Sequence, residues 1–281
     1  MVTAQSSALS RITSAQVQKA LQLAVEGRVY DLGLEINEQM PQGLIGQFTP
    51  FSLCFRATPE KTGAQGPFQY AVETIIGTLH TSTHIDGLVH VQAENRIYGG
   101  DFVSDARDDR GWKKHGMETV PPLVGRCVML DVAGVKGVDA LQDGYEITID
   151  DLKRSCSAQI VEVEPGDCVL VRTGKIREFY TNPAKFGGDS QPGVGGDAAV
   201  WLYEQGMAAL GTDTSGIEPS PPLDWANTTH RMMLVERGVH LIENLNLDEL
   251  ARDGICKALF VCLPLKITGA TGSWVRPVAI V

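Results

Sequence analysis

The chain has 281 residues, 43% of them apolar and 21% charged, with a net charge of −10 and a pI near 5.1. That balance suits a soluble globular protein with a sizeable core, and it argues against nucleic acid or an anionic membrane as partner, since both require basic patches. No stretch approaches the ~20 apolar residues that span a bilayer.

Residues 1–10 are small and polar, without the apolar segment of a secretory signal. The six cysteines are dispersed and include no Cys-x-x-Cys pair. They read as reduced thiols in a cytoplasmic protein.

An opening helix is expected where Val17, Ala20, Leu21, Ala24 and Val25 recur at helical spacing. Thr13 and Gln16 fit a capping box, and Gly27 stands where a helix-ending glycine belongs. Residues 29–36 read as a strand. The Pro/Gly-rich stretch 40–67, with Phe48, Phe51 and Phe55, reads as a long loop covering something, and its phenylalanines are candidates to line a substrate pocket. A second polar segment spans 92–122.

Strands are expected at 126–132 and 167–172, with a short helix at 147–154 capped by Asp150. The glycine-rich loop 186–196 leads into a helix at 198–205; it lacks the glycine order and Lys-Ser/Thr ending of a phosphate cradle. The last third alternates: strand 208–212, helix 228–237 stopped by Gly238, strand 239–245, short helix 247–252, strand 259–267. Interleaved β and α elements without a linker or repeat predict one α/β domain at 29–281 behind a helical extension at 1–28.

Chemistry concentrates in residues 80–90, which hold three of the six histidines: His80, His84 and His90, with Asp86 among them. Imidazoles and a carboxylate suit a borderline divalent cation such as Zn²⁺ or Mn²⁺. The window is not a zincin helix, because Thr81 stands where that motif has Glu, and Thr81, Ser82, Thr83 and Ile85 are poor helix formers. A straight strand from His80 to His90 would run about 33 Å, too far for one site. The chain must therefore bend, at Gly87 and in the Thr/Ser run.

Further donors lie downstream. His230 opens the expected helix and Glu243 sits on the strand after it, an arrangement that allows the two to meet if helix and strand pack antiparallel. A carboxylate in an apolar strand needs a partner. His240, three positions before Glu243, faces the opposite side and is expected to be structural. His115, in a charged loop, is expected to be solvated. Asp213 is expected to anchor a loop behind the site.

The run His80-Thr-Ser-Thr-His84-Ile-Asp86-Gly-Leu-Val-His90 resembles the His-x-Gly-Thr-His-x-Asp-x-x-x-His signature of the cyclase-like metal-dependent hydrolases. That group includes bacterial kynurenine formamidases, isatin hydrolases and trans-dienelactone hydrolases. Val171-Arg172-Thr173-Gly174, Gly211-x-Asp213 and Ile242-Glu243-Asn244-Leu245 add to the likeness, which covers roughly residues 29–281. Two departures stand out: Ser82 replaces the usual glycine, and the His230-to-Glu243 interval is one residue longer than in kynurenine formamidases. Ser82 is tolerable unless its backbone needs a positive φ.

The resemblance implies a swivelling β/β/α fold, assembled as a homodimer or homotetramer. It makes His80, His84 and Asp86 ligands of one metal. Asp86, His230 and Glu243 would hold a second, with His90 as proton donor and acceptor. A divalent cation brings the pKa of bound water from ~15.7 towards ~7, so hydroxide is available at neutral pH. The expected activity is opening of a small cyclic amide, imide or lactone. The alternatives are hydrolysis of an acyclic N-formyl amine and metal or small-molecule binding without turnover.

Overall fold

A computed structural model describes residues 6–41, 49–63 and 65–281. Nine strands form one sheet. In chain order they are β1 (Val29–Asp31), β2 (His84–Asp86), β3 (Leu123–Asp131), β4 (Cys168–Arg172), β5 (Ala209–Thr212), β6 (His240–Glu243), β7 (Lys257–Cys262), β8 (Gly272–Trp274) and β9 (Val278–Ile280). The order across the sheet is β1-β9-β7-β3-β4-β5-β6-β2-β8.

The centre, β3-β4-β5-β6, is parallel, and every other pairing is antiparallel. Strands such as Cys168–Arg172 are buried along their whole length, as expected for parallel strands covered on both faces. Successive side chains alternate between two cores. Val128, Leu130, Val169, Val171, Leu210 and Leu241 face one side, and Cys127, Met129, Cys168, Leu170, Ala209 and Ile242 face the other.

Four helices flank the sheet: α1 (Ser14–Leu21), α2 (Ile149–Gln159), α3 (Gly196–Glu204) and α4 (Asp248–Arg252). Leu152 of α2 and Ala198, Ala199 and Leu202 of α3 fill the first core, while Leu250 of α4 fills the second. The single α/β domain is therefore observed, with helices on both faces of a mixed sheet.

Local differences from the expected elements have physical causes. Helix α2 is capped by Thr148 and not by Asp150; Thr148 and Asp151 form the reciprocal capping box, and the helix runs to Gln159. In α1 the Thr13 hydroxyl meets the Gln16 side chain and makes no cap bond to the backbone, and the helix stops at Leu21. Strand β1 is shorter than 29–36; it ends at Asp31, and the Leu34 N–H donates to the Thr83 hydroxyl and not to a strand. Strand β7 stops at Cys262, two residues before Pro264, which has no N–H to give a ladder.

The expected loop at 40–67 contains Ser52–Ala57, a strand that pairs with Val72–Ile76 as a hairpin outside the main sheet. Phe48 lies outside the described residues. The expected helix at 228–237 is one wide π-type turn, Arg231–Val235. All six cysteines are free; Cys127, Cys168 and Cys262 are buried, and Cys54 is exposed.

Candidate metal centre

Sheet register assembles the site. On β2, His84 and Asp86 point to one face while Ile85 enters the second core. Glu243 of β6 lies directly opposite His84, so the two side chains share that face although 159 residues separate them. The chain bends on both sides of β2, as the distances required. Before it, residues 81–83 turn through Ser82 at φ 53°. After it, His90 N–H donates to Gly87 O at 2.9 Å, which brings His90 back over the strand.

The first bend returns His80 to Asp86, with Nδ1 2.7 Å from Oδ1, and its Nε2 lies 2.9 Å from the Thr271 hydroxyl. Gly272 makes room for this ring: a Cβ there would come within 2.5 Å of His80 Cε1. Nε2 of His84 lies 3.3 Å from Glu243 Oε2 and 3.6 Å from Asp86 Oδ1, while its Nδ1–H donates to Ser82 O at 2.9 Å.

His230 arrives at the start of the π-type turn. Its Nε2 lies 3.3 Å from Asp86 Oδ2 and 3.1 Å from Glu243 Oε1. Its Nδ1 lies 2.6 Å from Glu218 Oε2. His90 stacks on His80 at 3.8 Å between ring centroids and stands 5.8 Å from the His230 ring.

The five expected ligands and His90 thus converge. Donor atoms of His80, His84 and Asp86 lie within 4.8 Å of one another, and so do those of Asp86, His90 and His230. The second grouping brings His90 into ligand range, a possibility the sequence reading gave little weight.

A cation fits this donor set. Asp86 Oδ2 and Glu243 Oε1 are buried and have no hydrogen-bond partner, and both face Nε2 of His230. Two buried carboxylate oxygens left this way are costly unless something positive binds them. Burial works against charge on Asp86, yet His90, His80 and His230 overcome it and hold the carboxyl well below its usual range. Burial also disfavours the His230 cation, but Glu218, Asp86 and Glu243 outweigh it and raise its pKa well above the ordinary value. Burial lowers the pKa of His90 to about 4, so its ring is neutral at neutral pH.

The cluster floors a cavity of about 240 Å³. Its upper wall is the Pro-rich segment 216–222, with Trp225 at the mouth, 77% exposed. Gln191 braces that segment, donating from Nε2 to Gly216 O and Glu218 O. No lysine or arginine lines the cavity among the described residues.

Phe51 is not in this wall. Its ring packs edge-on against Trp274 at 6.1 Å and joins the cluster of Leu34, Met40, Ile176, Phe179 and Phe186. His240 is buried on the far face, donating from Nδ1 to Asp86 O, and burial lowers its pKa to about 4. Asp213 accepts from Thr173 N, Thr173 Oγ1 and Gly174 N, and so anchors the loop after β4. His115 is half-buried beside Tyr98 and not solvated as expected.

Glu218, Gln191, Thr271 and Trp225 were missed. The available signal was position, since Glu218 follows β5 at the carboxyl end of the parallel strands, where sites in such sheets form.

Comparison with known proteins bears on the fold and the family. The Cyclase family matches residues 30–219. Kynurenine formamidase of Bacillus cereus is 26% identical over 233 residues, covering 82% of this chain and 87% of that protein. A crystal structure described as a novel cyclase superposes with a TM-score of 0.88 at 28% identity, over 98% of this chain and 94% of that one. Isatin hydrolase A from Ralstonia solanacearum shares the fold, with a TM-score of 0.71 at 23% identity over 95% and 98% of the two chains.

Fold, donor cluster and relatives together define a metal-dependent hydrolase. The chain belongs to the Cyclase family.

Proposed function

We propose that the chain hydrolyses a small cyclic amide, imide or lactone at this cluster. The observation that carries the reading is the pair of buried oxygens, Asp86 Oδ2 and Glu243 Oε1, that lack a hydrogen bond and share Nε2 of His230 as their near neighbour at the floor of the cavity. His80, His84 and Asp86 would hold one divalent ion, Zn²⁺ or Mn²⁺, and Asp86, His230 and Glu243 a second. When bound, such an ion lowers the pKa of water and polarises a substrate carbonyl.

The remaining work falls to side chains. Glu218 fixes the His230 ring through Nδ1 and leaves Nε2 towards the carboxylates, the usual task of a carboxylate behind a ligand histidine. Ser82 O does the same for His84. His90, which the proposed ligand sets do not need, takes a proton on a ring nitrogen and passes it to the leaving nitrogen or oxygen. The described cavity wall, which holds no lysine or arginine, favours a neutral ring over an anionic substrate.

A second reading, hydrolysis of an acyclic N-formyl amine, is supported by the likeness to kynurenine formamidase. A third, binding without turnover, is supported by the Asp86, His90 and His230 grouping, in which His90 is itself a ligand. A cytoplasmic location fits the unpaired cysteines.

A panel of lactones, lactams, imides and N-formyl amines, assayed after chelation and after return of Zn²⁺ or Mn²⁺ separately, tests the activity. We expect ring opening only in the metal-loaded protein; undiminished hydrolysis by the metal-free protein sinks the reading. His84→Ala should lose both metal and turnover. His90→Ala should retain the metal, measured by elemental analysis, and lose turnover by about 100-fold or more. Loss of metal from His90→Ala would favour the third reading.

A further inference from the structure

The bend that aims His84 contains a serine in the left-handed region, Ser82 at φ 53°, a conformation that L-residues other than Asn, Asp and Gly seldom adopt. Something must hold it. The Asn244 carboxamide donates from Nδ2 to Ser82 O at 2.8 Å. The same carbonyl accepts the His84 Nδ1–H at 2.9 Å.

Asn244 is itself left-handed, at φ 57°, and it is held in return: the Thr83 hydroxyl donates to Asn244 O at 2.6 Å and accepts from Leu34 N at 2.9 Å. Ser82, Thr83 and Asn244 are all buried. The clamp thus crosses neighbouring strands: Asn244, after β6, holds the Ser82 carbonyl before β2, and Thr83 holds Asn244.

We propose that Asn244 and Thr83 are positioning residues for His84. They hold the Ser82 carbonyl where it accepts the Nδ1 proton, so that the imidazole presents Nε2 to the cation. The inference rests on the reading of His84 as a metal ligand. It also accounts for how this chain carries serine where a residue indifferent to the sign of φ would need no such clamp.

The test measures ion affinity directly. Zn²⁺ and Mn²⁺ are titrated calorimetrically into metal-stripped wild type, Asn244→Gly, Ser82→Gly and the double variant, and the unfolding midpoint of each metal-free protein is recorded. Glycine at 244 removes the carboxamide without straining a positive φ. Asn244→Gly should weaken ion binding about tenfold or more, and Ser82→Gly alone should leave it within about threefold. In the double variant most of the lost affinity should return, because glycine adopts the positive φ without strain and so needs less of the clamp.

Wild-type affinity in Asn244→Gly, with or without a lowered unfolding midpoint, overturns the proposal. So does a double variant that binds no better than Asn244→Gly. Wild-type protein that takes up neither ion overturns the metal reading itself, a result distinct from the other two.

Discussion

Gly272 shows how little space the proposed His80 ligand has. It lies opposite Asp86 in the sheet, and the His80 ring occupies the volume where its side chain would be. Gly272→Ala should push that ring off Asp86 and lower divalent-ion affinity about tenfold, while stability changes by less than about 1 kcal/mol, because only the end of a side chain has to move. Unaltered ion affinity by calorimetry would show that His80 contributes nothing to the site. At this scale the sequence was informative wherever ligand chemistry is dense: His80, His84, Asp86 and His90 fall within one short window, and only its bends had to be supplied. Glu218 and Thr271 were not legible, because a lone carboxylate or hydroxyl looks the same whether it braces an imidazole or faces water.

Helix α2 carries a prediction of a different kind. Burial alone would raise the pKa of Asp151, but Lys136, Thr148 and Tyr145 outweigh it and bring the group to about 2. A carboxyl whose pKa is depressed on folding stabilises the fold above its unfolded pKa, and that contribution disappears as pH falls through the folded value. Asp151→Asn should therefore cost about 2 kcal/mol at pH 7 in urea unfolding, and the gap from wild type should close between about pH 4 and pH 2. A gap that is constant with pH would show that charge is irrelevant to this cap. Long elements such as β3 and α3 were readable from apolar runs and period. Strands β8 and β9, three residues each, were not, since Gly-Ser-Trp and Val-Ala-Ile show no period until their neighbours are known. The hairpin strand Ser52–Ala57 was obscured by the proline and glycine around it.

Among the described residues, one stretch of exposed apolar surface lies on an element outside the main sheet. Leu53, Phe55, Ile75 and Ile76 of the Ser52–Ala57 and Val72–Ile76 hairpin are each roughly half exposed, and Leu263 and Leu265 are more so. A two-stranded ribbon is marginal by itself, and exposed apolar side chains on such a ribbon suit a contact with a second copy. We expect light scattering to give a dimer or tetramer of the 30.3 kDa chain, and Leu53→Lys with Ile75→Lys to shift it towards monomer. A wild-type monomer at every concentration would leave the hairpin unexplained.

The antiparallel seam between β2 and β6 also has a consequence for how the protein matures. His80, His84 and Asp86 leave the ribosome about 140 residues before His230, an interval of roughly 7 to 28 s at ordinary elongation rates. Throughout it the early donors form an open half-set exposed to whatever ions the cell holds. On the proposed ligand set, selection of the ion belongs to the end of synthesis, when the last third of the polypeptide closes over them.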